Sequence, residues 1–575
     1  MTERLPFAPV TLAGTAESPA TEWGRAATSA FPLGLRRAVL ALTIGLLIAT
    51  CAFAAGRLVW RVISTDGGWY SYPGYALSQG RDPDENLLPP DQLPLATPGV
   101  RSLFPWENRS FLVTGIDWAW FDVAGHGEGS IVVFGVLQWL VLAALVGWAV
   151  NRATGNRWAA GAAALAALCD VKLIYESLAD LRPDIPLALI GVGSLCCFID
   201  FLRRRSPVSF IASGLLIALL PLVHTTGVLP AAMMLTCLAA SALIPRDGRL
   251  SKPYVLACAV LAAAVLTVFV LRKPIADVLI PTRVSLAVQL TGRHDLPGLL
   301  LGLAHRGVLW KLGQEGRRWA SYFLPANLPQ LLFLLIGLAA LLRAAWRRGA
   351  AHRAEVLWLP LGWMVGILTL TVTDPHFTDT HLIPLIAMGY VMAGVGWALL
   401  LEGSRELSRQ PSREPSQQLL ARVHGMRRGM AVLAALALLC LALRAGQAAF
   451  DVYQGVHQGV SRSSVRRLLA KVFPGSGVTW AVGPTSIWLY VPPRGTPVIV
   501  DDRSDPGIIH TPLWQRMTVL VIDSDFLNYG WAKVAREGVA AGWLRPIGHV
   551  GTPADKYYLA AYRVEHAGAG RNPGT

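Results

Sequence analysis

Apolar runs of roughly 18 to 22 residues recur along most of this chain, each long enough to cross a bilayer as a helix. Of its 575 residues, 53% are hydrophobic and only 15% are charged, whereas soluble domains carry about 25% charged residues. The chain therefore reads as a polytopic α-helical membrane protein. Its net charge of +15 sits in short basic blocks between the apolar runs, a pattern that speaks against nucleic-acid binding.

Eleven spans are expected, near 38–58, 131–150, 157–175, 184–202, 207–223, 227–245, 254–271, 328–345, 354–373, 381–401 and 430–449. Arg36 and Arg37 precede the first run, which lacks a small-residue cleavage site and reads as an uncleaved anchor. Basic residues then alternate in space. With a cytoplasmic N-terminus, the inner segments carry Arg152 and Arg157, Arg203 to Arg205, Arg343 to Arg353, and six arginines from Arg405 to Arg428. The outer turns at 224–226 and 374–380 carry no Lys or Arg, and 176–183 carries Arg182 alone. This is the positive-inside pattern. All seven cysteines lie within apolar runs, so neither a disulfide framework nor a zinc site is indicated.

The expected organisation is a cytoplasmic tail at 1–35, a transmembrane domain at 36–449 with outer loops 59–129 and 272–326, and an extracytoplasmic α/β domain at 450–575. In the last segment "GVTWAV", "IWLYV", "TPVIVDD", "MTVLVIDSD" and "YYLAAYRV" read as strands, with helices near 461–472 and 526–538. Residues 402–428 read as a polar linker.

The unusual polar residues collect at the outer face under this topology. "TDGGWYSYPGYALSQGRDP" places Asp66, Trp69, Tyr70, Tyr72 and Tyr75 just after the first span. An N-cap at Asp66 and aromatic membrane anchors account for these residues, and a ligand approaching the paired glycines accounts for them too. "DVKLIYESLADLRPD" sets Lys172, Glu176 and Asp180 on one helical face and ends on Arg182-Pro183-Asp184. The guanidinium of Arg182 has the geometry to grip a phosphate, while an interfacial ion-pair ladder is the structural alternative. "LVHTTG" contributes His224. "TVTDPHFTDTHLIPL" contributes Asp374, His376, Asp379 and His381, whose chemistry is compatible with a divalent metal but whose spacing matches no fixed metal motif. The 272–326 loop adds Arg283, Arg293, Arg306, Lys311, Arg317 and Arg318 on a face where basic residues are disfavoured, which points to an anionic lipid. Together these segments describe a site for a polar, partly anionic, lipid-linked substrate.

The arrangement resembles the GT-C superfamily of membrane glycosyltransferases, in particular the bacterial protein mannosyltransferase, aminoarabinose transferase and arabinofuranosyltransferase-like groups. Those families carry an Asp-bearing loop after the first span, of the form D-x-x-x-Y-x-x-x-A-x-x-L-x-x-G. Asp66, Tyr70, Ala76 and Gly80 resemble it, with a longer interval before the alanine. Arg182-Pro183-Asp184 resembles the family's R-P-D, and His381-Leu382-Ile383-Pro384 its late outer turn. Many relatives have a second acid directly after the first, where this chain has Gly67.

The resemblance implies sugar transfer from a polyprenyl-phosphate donor to a lipid- or wall-linked glycan, or a protein, at the outer face of a bacterial inner membrane. It implies Asp66 as general base and Arg182 and His381 as donor-phosphate partners. Trp69, Tyr70, Tyr75, Glu176, Asp184, His224, Asp374 and His376 would contact the substrate. No cofactor is firmly indicated, and a divalent metal held by Asp374, His376, Asp379 and His381 stays open. An O-antigen-type ligase or polymerase is the neighbouring alternative. A transporter is the distant one, which would show paired half-sequences and charges deep in the membrane.

Overall fold

The computed structural model describes residues 65–80, 111–174, 182–204, 206–243, 256–264, 267, 296–324, 327–347, 350–373, 379–409, 461–473, 478–490, 496–500, 506–510, 512–528, 530–555 and 558–566. The expected tail 1–35 and the spans 38–58 and 430–449 lie outside them, as do Glu176, Asp180, Asp374 and His376.

Before the first described span come α1 (Thr65–Ser78) and α2 (Phe111–Ala124). The bundle is then built from α3 (Glu128–Thr154), α4 (Arg157–Leu168), α5 (Asp184–Arg204), α6 (Pro207–Val223) and α7 (Val228–Leu243). It continues with α8 (Leu296–Phe323), α9 (Leu328–Arg347), α10 (Ala350–Thr373) and α11 (Ile383–Arg409). Among the described residues, four helices are long and apolar enough to cross a membrane: Gly129–Thr154, Asp184–Arg204, Leu328–Trp346 and Asp379–Leu401.

The expected span at 157–175 is cut short. Its helix stops at Leu168, because Asp170 caps a new turn by accepting the N–H groups of Lys172 at 2.8 Å and Leu173 at 3.2 Å. Two other boundaries move as well. α11 runs on to Arg409, into the segment expected to be a linker. The outer loop 272–326 holds the 28-residue α8.

Helix contacts follow the small residues. A Cβ at Gly396 of α11 would overlap the backbone of Gly337 in α9, and one at Gly362 of α10 would overlap Cys237 in α7. Glycine at these points lets the backbones approach closely, the usual device for packing helices in lipid. At one end of the bundle Asp200 accepts from Arg152 Nε at 3.0 Å and Nη2 at 2.6 Å, and from Ser209 Oγ at 2.9 Å. His224, at the other end of α6, is described below.

The described residues from 461 onward form a five-stranded sheet with three α-helices. Its strands are β1 (Val478–Val482), β2 (Thr496–Val500), β3 (Val519–Asp523), β4 (Leu544–Val550) and β5 (Leu559–Val564), and its helices are α12 (Arg462–Val472), α13 (Ser524–Asn528) and α14 (Trp531–Ala540). The order is β2-β1-β3-β5-β4, with β1 parallel to β2 and β3, and β5 antiparallel to β3 and β4. Alternation along β3 divides the core: Val519 and Val521 join α12, while Leu520 and Ile522 join Trp531 and Phe526.

One expected strand is absent. "IWLYV" is instead a 3₁₀ turn, Thr485–Tyr490. Ile487, Trp488, Leu489 and Tyr490 are all buried, and a short run of consecutive apolar residues suits a fully covered turn as well as a strand buried on both faces, such as β3. Part of that cover is α1 and α2: Tyr72 and Ala76 of α1 and Phe121 of α2 share one apolar cluster with α12, this turn and the sheet.

Candidate functional site

Three segments far apart in sequence meet at the end of the bundle where α6 stops. His224 has extended backbone, closing α6 at Val223. Its Nδ1 lies 3.3 Å from the Thr226 N–H and 2.8 Å from the Thr226 hydroxyl. The backbone N–H can only donate, so Nδ1 is the acceptor and the neutral ring carries its hydrogen on Nε2. Tyr70 of α1 meets the His224 ring edge-on with centroids 6.5 Å apart. His381, in the turn Asp379–Leu382 before α11, approaches it from another side, also at 6.5 Å. Tyr70, His224 and His381 thus form a line of rings.

Beside His381, Asp379 accepts from Ser321 Oγ of α8 at 2.7 Å and pairs with Lys172 Nζ at 2.6 Å. Asp379 is therefore engaged by a cation and a hydroxyl. Among the described residues no three of His, Cys, Asp and Glu are grouped to hold a metal.

A buried hub supports these contacts. Asp170 is fully buried and accepts from Tyr390 OH of α11 at 2.5 Å, Tyr322 OH of α8 at 3.0 Å and Asn327 Nδ2 at 2.9 Å. Asn327 Oδ1 in turn accepts from the Val171 N–H at 2.9 Å. The hub ties residues 170–171 to α8, to the start of α9 and to α11. Along α8, Lys311, Glu315, Arg318 and Tyr322 follow at helical intervals and all are buried. Glu315 pairs with Lys311 at 3.1 Å and Arg318 at 3.4 Å.

Arg182 and Asp184 form a pair of 3.4 Å at the start of α5, where the helix dipole favours the carboxylate. Asp184 is 2% exposed, and its Oδ1 has no hydrogen-bond partner among the described residues.

Asp66 and Trp69 occupy the first turns of α1, which begins at Thr65. Tyr75 is placed elsewhere than beside Tyr70 and His224: its ring stacks on Trp488 at 4.2 Å and meets His126 edge-on at 5.3 Å. Of the residues chosen from sequence, the structure thus gathers Tyr70, His224 and His381 and leaves Tyr75 in an aromatic cluster with the sheet. Asp170 and Trp488 were not singled out. Asp170 opens a stretch whose other acids drew attention by spacing, and no local pattern marks Trp488.

Residues 109–271 match the family model described as dolichyl-phosphate-mannose-protein mannosyltransferase. The chain is also similar to the crystal structure of ArnT from Cupriavidus metallidurans bound to undecaprenyl phosphate. The TM-score is 0.53 at 14% identity, covering 91% of this chain and 97% of that one. The apo state of ArnT from the same organism gives 0.52 at 13% identity, over 92% and 98%. No curated protein sequence matches the chain. At such identities the likeness shows the fold alone, one shared with ArnT.

Proposed function

We propose that this protein transfers a sugar from a polyprenyl-phosphate donor to a lipid- or wall-linked glycan, or a protein, at the outer face of a bacterial inner membrane. The observation that carries this reading is the meeting of Tyr70, His224 and His381 from three separate segments, with Asp66 one helical turn before Tyr70. ArnT bound to undecaprenyl phosphate, a protein of the same fold, supports the class of donor. The positive-inside pattern supports the orientation, with the His224 and His381 end outside and the sheet layer on the same side.

The chemistry follows from the groups at that end. A nucleotide sugar is not available outside the cell, so the donor is a sugar carried through the membrane on a lipid phosphate. Asp66 takes the proton of the acceptor hydroxyl as that oxygen bonds to the anomeric carbon. The bond from that carbon to the phosphate oxygen breaks with oxocarbenium character, and its electron pair leaves with the phosphate. Arg182 and His381 stabilise the departing phosphate. The unsatisfied Oδ1 of Asp184 offers an acceptor to a sugar hydroxyl. Tyr70 supplies an aromatic edge to the sugar, and His224, fixed through Thr226, presents an Nε2 donor.

Binding of undecaprenyl phosphate to the full chain in lipid nanodiscs, followed by native mass spectrometry, tests the phosphate site. Arg182→Ala and His381→Ala should each weaken binding by about 10- to 100-fold, since a hydrogen bond to a charged group contributes about 1.5–3 kcal/mol. Equal affinity in wild type and both variants would remove these residues from the phosphate site.

A further inference from the structure

α1 carries Asp66 but has little stability of its own. Gly67 and Gly68 lie in its first turn, where glycine is a poor helix former. Pro73 within the helix has no N–H to return to the carbonyl four residues earlier. Something outside α1 must hold its first turn, and the sheet layer does so. The indole Nε1–H of Trp488 donates to the carbonyl of Gly68 at 2.8 Å, across 420 residues of sequence. The same ring stacks on Tyr75 at 4.2 Å and meets Tyr72 edge-on at 5.9 Å. The approach is tight enough that a Cβ on Gly68 would overlap Ser486. At the far end, His126 Nε2 lies 2.8 Å from both Ser78 Oγ and Gln79 Nε2.

We infer that Trp488 is a positioning residue for the reaction: from the C-terminal sheet layer it fixes the first turn of α1, and with it the backbone that presents Asp66. The inference rests on the reading of Asp66 as general base. It gives the C-terminal layer a part in catalysis without any contact to substrate.

Two variants of the full chain in nanodiscs test it. Trp488→Phe keeps a ring to stack on Tyr75 and deletes the donor to Gly68. Gly68→Ala improves helix propensity yet forces Ser486 and α1 apart, so a merely structural contact predicts no catalytic loss from it. Hydrogen exchange at residues 65–72 should quicken by about tenfold in each, with β1, β3 and β5 unchanged, which marks local release rather than unfolding. Turnover should fall by about tenfold with donor KM within about twofold, the signature of a misplaced catalytic group rather than lost binding. Unchanged exchange at 65–72, or unchanged kcat despite faster exchange, would overturn the inference. If Trp488→Phe fails to fold, Gly68→Ala decides alone. A wild-type protein inert toward every lipid-linked sugar would sink the transferase reading, and exchange would then still decide whether Trp488 anchors α1.

Discussion

Replacing Tyr390 by phenylalanine deletes a single hydroxyl from the Asp170 hub and leaves the ring's packing in place. The lost bond is short, 2.5 Å, and both partners are fully buried. A hydrogen bond to a charged group contributes about 1.5–3 kcal/mol, and an orphaned buried partner costs a similar amount. Asp170→Asn keeps one carbonyl oxygen for Asn327 but turns an amide toward Tyr322 and Tyr390, so its cost should be about 2–4 kcal/mol. The two side chains come from segments 220 residues apart and meet directly, so the double variant should cost less than the sum of the singles. The expected coupling is about 1.5–3 kcal/mol. Unfolding free energies of the four proteins in mixed micelles measure it. Additivity to within about 0.5 kcal/mol would refute a direct bond at this hub.

Two further outcomes follow from single carboxyl groups. Asp117 of α2 is 1% exposed, and its Oδ2 has no hydrogen-bond partner among the described residues. Burial pushes its carboxyl well above the ordinary 3.8. The folded state therefore binds more protons, so this group costs stability increasingly as pH rises from its unfolded value toward its folded one. Asp117→Asn should raise the Tm at pH 7 and leave it unchanged below pH 4, with a gain of about 1–3 kcal/mol; the same pH slope in both proteins would contradict this. Asp379→Asn should cost about 1 kcal/mol through the loss of its pairing with Lys172; an unchanged unfolding free energy would contradict the Lys172–Asp379 pair.

The helices α3, α5, α6, α7, α9, α10 and α11 were legible because an apolar run long enough to span needs no partner to declare itself. What escaped depends on contacts between distant residues. The early stop of α4 follows from Asp170, whose side-chain partners lie 152 to 220 residues away. β4 escaped because it breaks the pattern of a strand. It is an edge strand with Pro546 and a register shift beside Gly548, and of its seven residues only the terminal Leu544 and Val550 are buried. The 3₁₀ turn at 485–490 looks like a strand because its apolar residues are consecutive, and its cover comes from distant elements, α1, α2 and α12 among them. The line of Tyr70, His224 and His381 was legible in part. Each residue stood out as polar or aromatic at a span's end, and the topology placed the three on one face. Trp488 was not, because a tryptophan among buried neighbours carries no local mark of the carbonyl it holds.

Turnover of polyprenyl-phosphate sugars by the purified full chain in lipid tests the central claim most directly, with Asp66→Asn beside wild type and release of polyprenyl phosphate as the readout. The account predicts release by wild type with an acceptor present, and a loss of about 10² to 10⁴ in Asp66→Asn with folding and donor binding retained. Equal release by the two proteins would contradict Asp66 as the base, and no release with any donor and acceptor would contradict the transferase itself.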